Sequence, residues 1–244
     1  MKKSLTLVLA AMAAGLMLHA RADNTLTADE LAAGWRLLFD GASTAGWRSF
    51  QKQTFPVNAW TVEAGCLKCD KAGPRGGDII TTQLFTNFEF VCEWKIGPGA
   101  NSGVKYFVDE KRTDKKGKLQ TAAVAHEYQI LDDDAPAWAK LHPQSKTGSF
   151  YEVLPPAADK TLKPVGEWNS TRIVVQGKHV EHWLNAVKVV EYETDGAAAA
   201  QGIAASKFKD VPGFADKIPT PLLLQDHGGG VWFRNLKARE LPAK

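Results

Sequence analysis

The chain is short of most groups that announce a familiar chemistry. It has three cysteines in 244 residues. Only Cys66 and Cys69 lie close together, and no second cysteine pair or nearby histidine follows them. No alternation of strand and helix surrounds them either, so the spacing indicates neither a zinc site nor a thioredoxin-like redox centre. Cys92 falls among alternating core residues, and all three thiols are read as structural or incidental. In an oxidising compartment an odd number leaves at least one unpaired. No G-x-S-x-G elbow occurs, which disfavours acyl transfer by an activated serine. His-x-His and His-Glu-x-x-His spacings are absent too, as are internal repeats and any linker that would split the chain.

Long apolar runs are also scarce. Leu5 to Leu18 is the one such stretch, and it is shorter than the ~18 residues a membrane span requires. It follows Lys2-Lys3 and precedes Ala20-Arg21-Ala22, the pattern of an export signal cut before Asp23. No cysteine follows it, which argues against a lipid anchor. Residues 1–22 are therefore expected to be a signal peptide, with 23–244 a single domain acting in the periplasm or outside the cell. The signal holds Lys2, Lys3 and Arg21 and no acid, so the formal charge of +3 falls to zero on its removal. The mature chain has no basic excess to suggest nucleic-acid binding, and no membrane anchor remains.

What is present is a succession of short strands. Phe88, Phe90, Cys92, Trp94 and Ile96 alternate with polar or smaller residues, a period of two. Strands are also expected at Trp35–Phe39, Trp60–Glu63, Asp78–Thr82, Ser102–Val108, Glu127–Asp132 and Ser149–Leu154. Others follow at Asn169–Gln176, His179–Leu184, Val187–Glu193, Leu222–Asp226 and Val231–Glu240. Gly, Pro, Asn and Asp separate them. Leu26–Ala33, capped by Thr27, and Ala197–Ala205 are the expected short helices, and Lys111–Lys118 a solvated hairpin tip. Such an order points to an all-β, two-sheet antiparallel sandwich with peripheral helices.

Alternation also sorts the polar side chains. If Tyr128 and Ile130 face the core, Glu127 and Gln129 point out. Asn101, Gly103, Lys105 and Phe107 share one face by the same rule. His182 and Leu184 lie opposite Glu181 and Trp183, and Trp232 and Arg234 opposite Val231 and Phe233. His227 stands between Asp226 and Gly228-Gly-Gly230, where glycines let a ligand approach the backbone closely and an acid can orient the imidazole. Trp138, Phe150, Tyr151, Trp183 and Trp232 are candidates for stacking on a sugar ring, while Trp60, Trp94 and Trp168 are assigned to the core. Gln129 and Leu131 stand where a sandwich glucanase would carry further carboxylates, so the pair that ordinary glycoside hydrolysis requires is missing from this strand.

These residues resemble a known family. Gly41…Gly46-Trp47, Asn87-Phe-Glu-Phe90…Glu93-Trp94, Asn101-Ser-Gly-Val104 and Glu127-Tyr-Gln-Ile-Leu-Asp132 are similar to the 3-keto-disaccharide hydrolase domain, formerly domain of unknown function 1080. Lys163-Pro-Val-Gly-Glu-Trp-Asn169, His182-Trp-Leu-Asn185, Leu224-Gln-Asp-His-Gly228 and Phe233-Arg-Asn235 extend the likeness from about Gly34 to Pro242. The resemblance implies a concanavalin A-like jelly roll. It also implies an enzyme acting on 3-keto-glycosides that a separate sugar 3-oxidoreductase supplies. A ketone at C3 acidifies the C2 proton; a base that removes it gives an enolate able to expel the group at C1, and water adding back would make the enzyme a hydrolase, stopping earlier a lyase. His227 or Glu127 is the expected base, with Lys105 and Arg234 stabilising developing charge. Asn101, Gln129, His182, Asp226, Trp138 and Tyr151 are expected to bind the sugar. A divalent metal on Glu127, Asp226 and His227 is the alternative. Three rivals stand beside this reading: a non-catalytic carbohydrate-binding module of the same fold, a conventional glycosidase, and an adhesion domain.

Overall fold

The computed structural model describes residues 23–70 and 77–243; the expected export signal, residues 1–22, lies outside them. Thirteen strands form two antiparallel sheets among the described residues. The strands are β1 (Arg36–Leu37), β2 (Trp47–Ser49), β3 (Trp60–Glu63), β4 (Cys66–Cys69), β5 (Ile79–Thr81), β6 (Phe88–Ile96) and β7 (Asn101–Tyr106). They continue as β8 (His126–Leu131), β9 (Asn169–Gln176), β10 (His179–Leu184), β11 (Val187–Glu193), β12 (Leu223–Leu224) and β13 (Val231–Glu240). The larger sheet runs β11-β10-β9-β6-β13-β4-β3, with β1 also on β13; the smaller runs β2-β5-β12-β7-β8. The two-sheet antiparallel sandwich is the one expected from the strand pattern, and its jelly-roll class the one the resemblance implies.

Period-two burial builds the core. Phe88, Phe90, Cys92, Trp94 and Ile96 turn inward from β6, against Val104 and Tyr106 of β7 and Tyr128 and Ile130 of β8. Trp94 satisfies its indole N–H on Thr171 Oγ1 (2.8 Å), so a large ring is buried without an orphan donor. The short helix α1 (Ala28–Ala32) starts with a capping box, Thr27 and Glu30 each bonding the other's backbone N–H. Helix α2 (Ala197–Ala205) packs against β11.

The structure departs from the strand reading at several points. Ser149–Leu154 is a buried turn in which Phe150 bridges Tyr128 and Leu154. Two further strands, β2 and β4, had too few alternating residues to stand out. Phe107 leaves its expected face because its φ of +56° ends the strand and turns the ring into the core beside Tyr106. Trp168 is half-buried on the outer face of the large sheet, covered by the Arg234 guanidinium at 4.0 Å. Cys66 and Cys69 are three positions apart on one strand and so face opposite ways; all three cysteines are buried and free.

Candidate active site

The outer face of the small sheet carries the site. Strand register sets Lys105 opposite Glu127 and Gly103 opposite Gln129, while Leu223 pairs with Lys105 on the other side. The segment through Ala123 and Ala125 folds over this face, packing on Leu223, Ile80 and Val108. It leaves a cavity of about 210 Å³ whose floor is Asn101, Lys105, Glu127 and Gln129, with Gln225 and His227 at one edge. Tyr151, Lys207 and Phe208 complete the lining.

Glu127 and Lys105 are almost wholly buried, at 4% and 7% exposed. The ammonium stands 3.6 Å from Glu127 Oε2 and donates to Ala123 O at 3.0 Å. Burial raises the Glu127 carboxyl above the usual carboxylate range, and the Lys105 charge opposes that shift. Gly103 makes room for this carboxylate: a Cβ there would lie 2.3 Å from Glu127 Oε1. Gln129, with its amide nitrogen turned to the site, donates to Glu127 Oε1 (3.3 Å) and Ser102 O (3.0 Å). Two more amides of the lining are left without a partner, since Asn101 Oδ1 and Gln225 Oε1 are buried and make no hydrogen bond. A buried acceptor left open costs about 1–3 kcal/mol, and a ligand hydroxyl would remove that cost.

Asp78, just before β5, meets this edge. Asp78 Oδ1 accepts the Asp226 N–H (2.9 Å), and Asp226 in turn accepts from Gly77 N (3.1 Å) and Gly228 N (3.0 Å). Both Asp226 oxygens are thus spent on backbone, holding the turn that presents His227. Burial raises the Asp78 carboxyl, with Lys105 opposing.

Of the ten residues singled out from sequence, the cavity gathers Asn101, Lys105, Glu127, Gln129, Tyr151 and His227. Four lie elsewhere. His182 is fully buried between the sheets, its Nε2 on the Tyr106 hydroxyl (2.6 Å) and its Nδ1 on Gly148 O (3.1 Å). Arg234 is on the outer face of the other sheet, paired with Glu93 (2.7 Å) and Asp23 (2.6 Å). Asp226 builds the turn just described. Trp138 donates its indole N–H to Gly99 O (3.2 Å), outside the cavity lining. Of the remaining aromatic candidates Phe150 is core, while Trp183 and Trp232 sit on the outer face of the large sheet under Arg172, Lys68 and Lys95. Glu127, Asp226 and His227 do not bring ligand atoms together; among the described residues only His179, Glu181 and Glu191 do so. Sequence reasoning missed Lys207, Gln225 and Asp78. Gln225 lay inside a quoted motif, whereas Lys207 comes from a loop with no period to place it.

The outer face of one sheet of a β-sandwich thus carries a small cavity of amides around a buried lysine and glutamate. The chain belongs to the 3-keto-alpha-glucoside-1,2-lyase-like domain family, whose model matches residues 34–239. It is 35% identical over 235 residues to a 3-keto-disaccharide hydrolase of Bacteroides thetaiotaomicron, covering 85% of this chain and 79% of that protein. A crystal structure from Parabacteroides distasonis, provisionally named a glycosyl hydrolase, superposes with a TM-score of 0.79 at 33% identity, over 91% of this chain and all of that one. A second from the same organism, with a similar provisional name, gives 0.57 at 29% identity, over 80% of this chain and 99% of that one. The protein is a carbohydrate-active enzyme of the glycoside-hydrolase type.

Proposed function

We propose that the protein cleaves the glycosidic bond of 3-keto-glycosides by removing the C2 proton and expelling the group at C1. The observation that carries this reading is the Lys105–Glu127 pair at the cavity floor (3.6 Å). An elimination needs a base beside a fixed cation: as Glu127 takes the proton its own charge disappears, the enolate oxygen becomes negative, and Lys105 loses one partner as it gains the other. The site then keeps its net charge through the step. Glu127 is the one carboxylate among the described cavity-lining residues. Asn101 Oδ1 and Gln225 Oε1 suit sugar hydroxyls, and Tyr151 offers a ring face.

The substrate requires an oxidoreductase that sets a ketone at C3 beforehand. The pattern from Lys2 to Ala22 supports action outside the cytoplasm. The test is incubation with 3-ketotrehalose in deuterated water, with unoxidised trehalose alongside. Release of glucose from the ketone alone is expected, with deuterium entering C2 of the oxidised product, and Glu127→Gln should abolish both. Equal cleavage of the unoxidised sugar, or cleavage with no label at C2, would overturn the proposal.

A further inference from the structure

A second cavity adjoins the first. Its volume is about 440 Å³, it is bounded by Ser49, Phe50, Gln51, Asp78 and Thr121, and Ala123 belongs to the walls of both. Lys105 reaches the partition from the other side by its bond to Ala123 O (3.0 Å). Asp78 is the one carboxylate among the described residues of this lining. Its carboxyl is held against the His227 turn by the Asp226 N–H. The charges of Lys105 and His227 act on it, and it acts in turn on Glu127. Two carboxyl groups thus stand on adjoining cavities, Glu127 lining the first and Asp78 the second. A ring of Phe50 and polar groups of Ser49, Gln51 and Thr121 suit a second sugar.

We propose that Asp78 is the general acid of the reaction, protonating the glycosidic oxygen as the departing sugar occupies the second cavity. The inference rests on the 3-keto-glycoside reading above. Glu127 takes the C2 proton; the C–H electron pair passes through the enolate and becomes the C1=C2 bond. The C1–O bond breaks with its pair on oxygen, which receives the Asp78 proton, and the C3 carbonyl is restored. Water then adds to C1 of the enone, giving a proton to the Asp78 carboxylate while Glu127 returns its proton to C2. Both residues end as they began, and water is the sole co-reactant. Division of labour follows from placement: Glu127 faces the ammonium directly (3.6 Å) in the first cavity, whereas Asp78 opens on the second, where the departing sugar would sit, and burial raises its carboxyl.

Asp78→Asn keeps an acceptor for the Asp226 N–H and removes the acid. It is assayed against 3-ketotrehalose, whose sugar leaving group needs a proton, and 4-nitrophenyl 3-keto-glucoside, whose phenolate does not. Loss of a general acid is expected to lower kcat/KM about 100-fold or more on the disaccharide and less than about threefold on the aryl glycoside. Equal change on both, or none on either, overturns the assignment. Failure of the wild-type protein on both substrates would instead refute the underlying function. A measurement on the wild type alone covers a variant that does not fold: across 3-keto-glycosides of increasing leaving-group acidity the rate should vary little, and a steep dependence overturns the proposal.

Discussion

Gly103 shows how tightly one position can control another. The Glu127 carboxylate leans across it, and a single methyl group at 103 would enter the space of Oε1. The Gly103→Ala variant is therefore expected to displace the carboxylate from Lys105. Overpacking of this kind costs about 1–3 kcal/mol, and misplacing a general base should lower kcat/KM at least about tenfold. Urea denaturation and steady-state kinetics read the two effects; wild-type kcat in a destabilised variant would show that the placement of Glu127 is immaterial. At this scale the sequence was a good guide. Asn101, Lys105, Glu127 and Gln129 share the outer face because successive strand side chains alternate, and Tyr128 and Ile130 had already marked the inner one. The same rule put His182 with Leu184 but could not say which face of β10 was solvent, and the inner one proved correct.

Among elements, the inner faces of β7, β8, β10 and β11 share a buried polar chain. His182 Nε2 meets the Tyr106 hydroxyl (2.6 Å), which meets the Tyr192 hydroxyl (2.9 Å), which meets His126 Nδ1 (2.8 Å). The outer ring nitrogens face the carbonyls of Gly148 and Phe214, so each must carry its proton there. Three contacts remain between the rings, with two hydroxyl protons to fill them. An added proton would complete the set, yet burial outweighs that gain: it pushes His182 down to about 4 and His126 down to about 3 from 6.5. Folded pKa values below the free value mean that unfolding takes up protons as pH falls. Stability is thus expected to decline from about pH 6.5 toward about 4. His182→Gln should flatten that decline, as measured by urea midpoints across the range. A slope unchanged in the variant would assign the acid sensitivity elsewhere. None of this relay was legible in the chain, because its members come from four strands and meet only when the sheets close.

Over the whole molecule, the two sheets have separate tasks. The small sheet carries the cavity on its outer face, while the outer face of the large sheet is bound up in charges and rings. Arg234 ties Asp23 and Glu93 to Trp168, and the backbone N–H groups of Asn24 and Asn235 each donate to the other's side-chain oxygen, fastening the start of the described chain to β13. Arg234→Ala is expected to leave kcat/KM within about twofold and to lower stability by about 1 kcal/mol or less, as for other exposed ion pairs. A large loss of turnover with the melting temperature preserved would return Arg234 to the chemistry. Sequence alone determined the sandwich, the core side of β6 and β8, and the polar row on β7 and β8, since these follow from side-chain alternation and turn residues within a strand. Which strands become neighbours, which outer face stays open, and that Asp78 and Gln225 arrive beside Glu127 were decided only by tertiary structure. The reason is physical: pairing across more than a hundred residues depends on how two sheets bury their apolar faces together, and no local period encodes it.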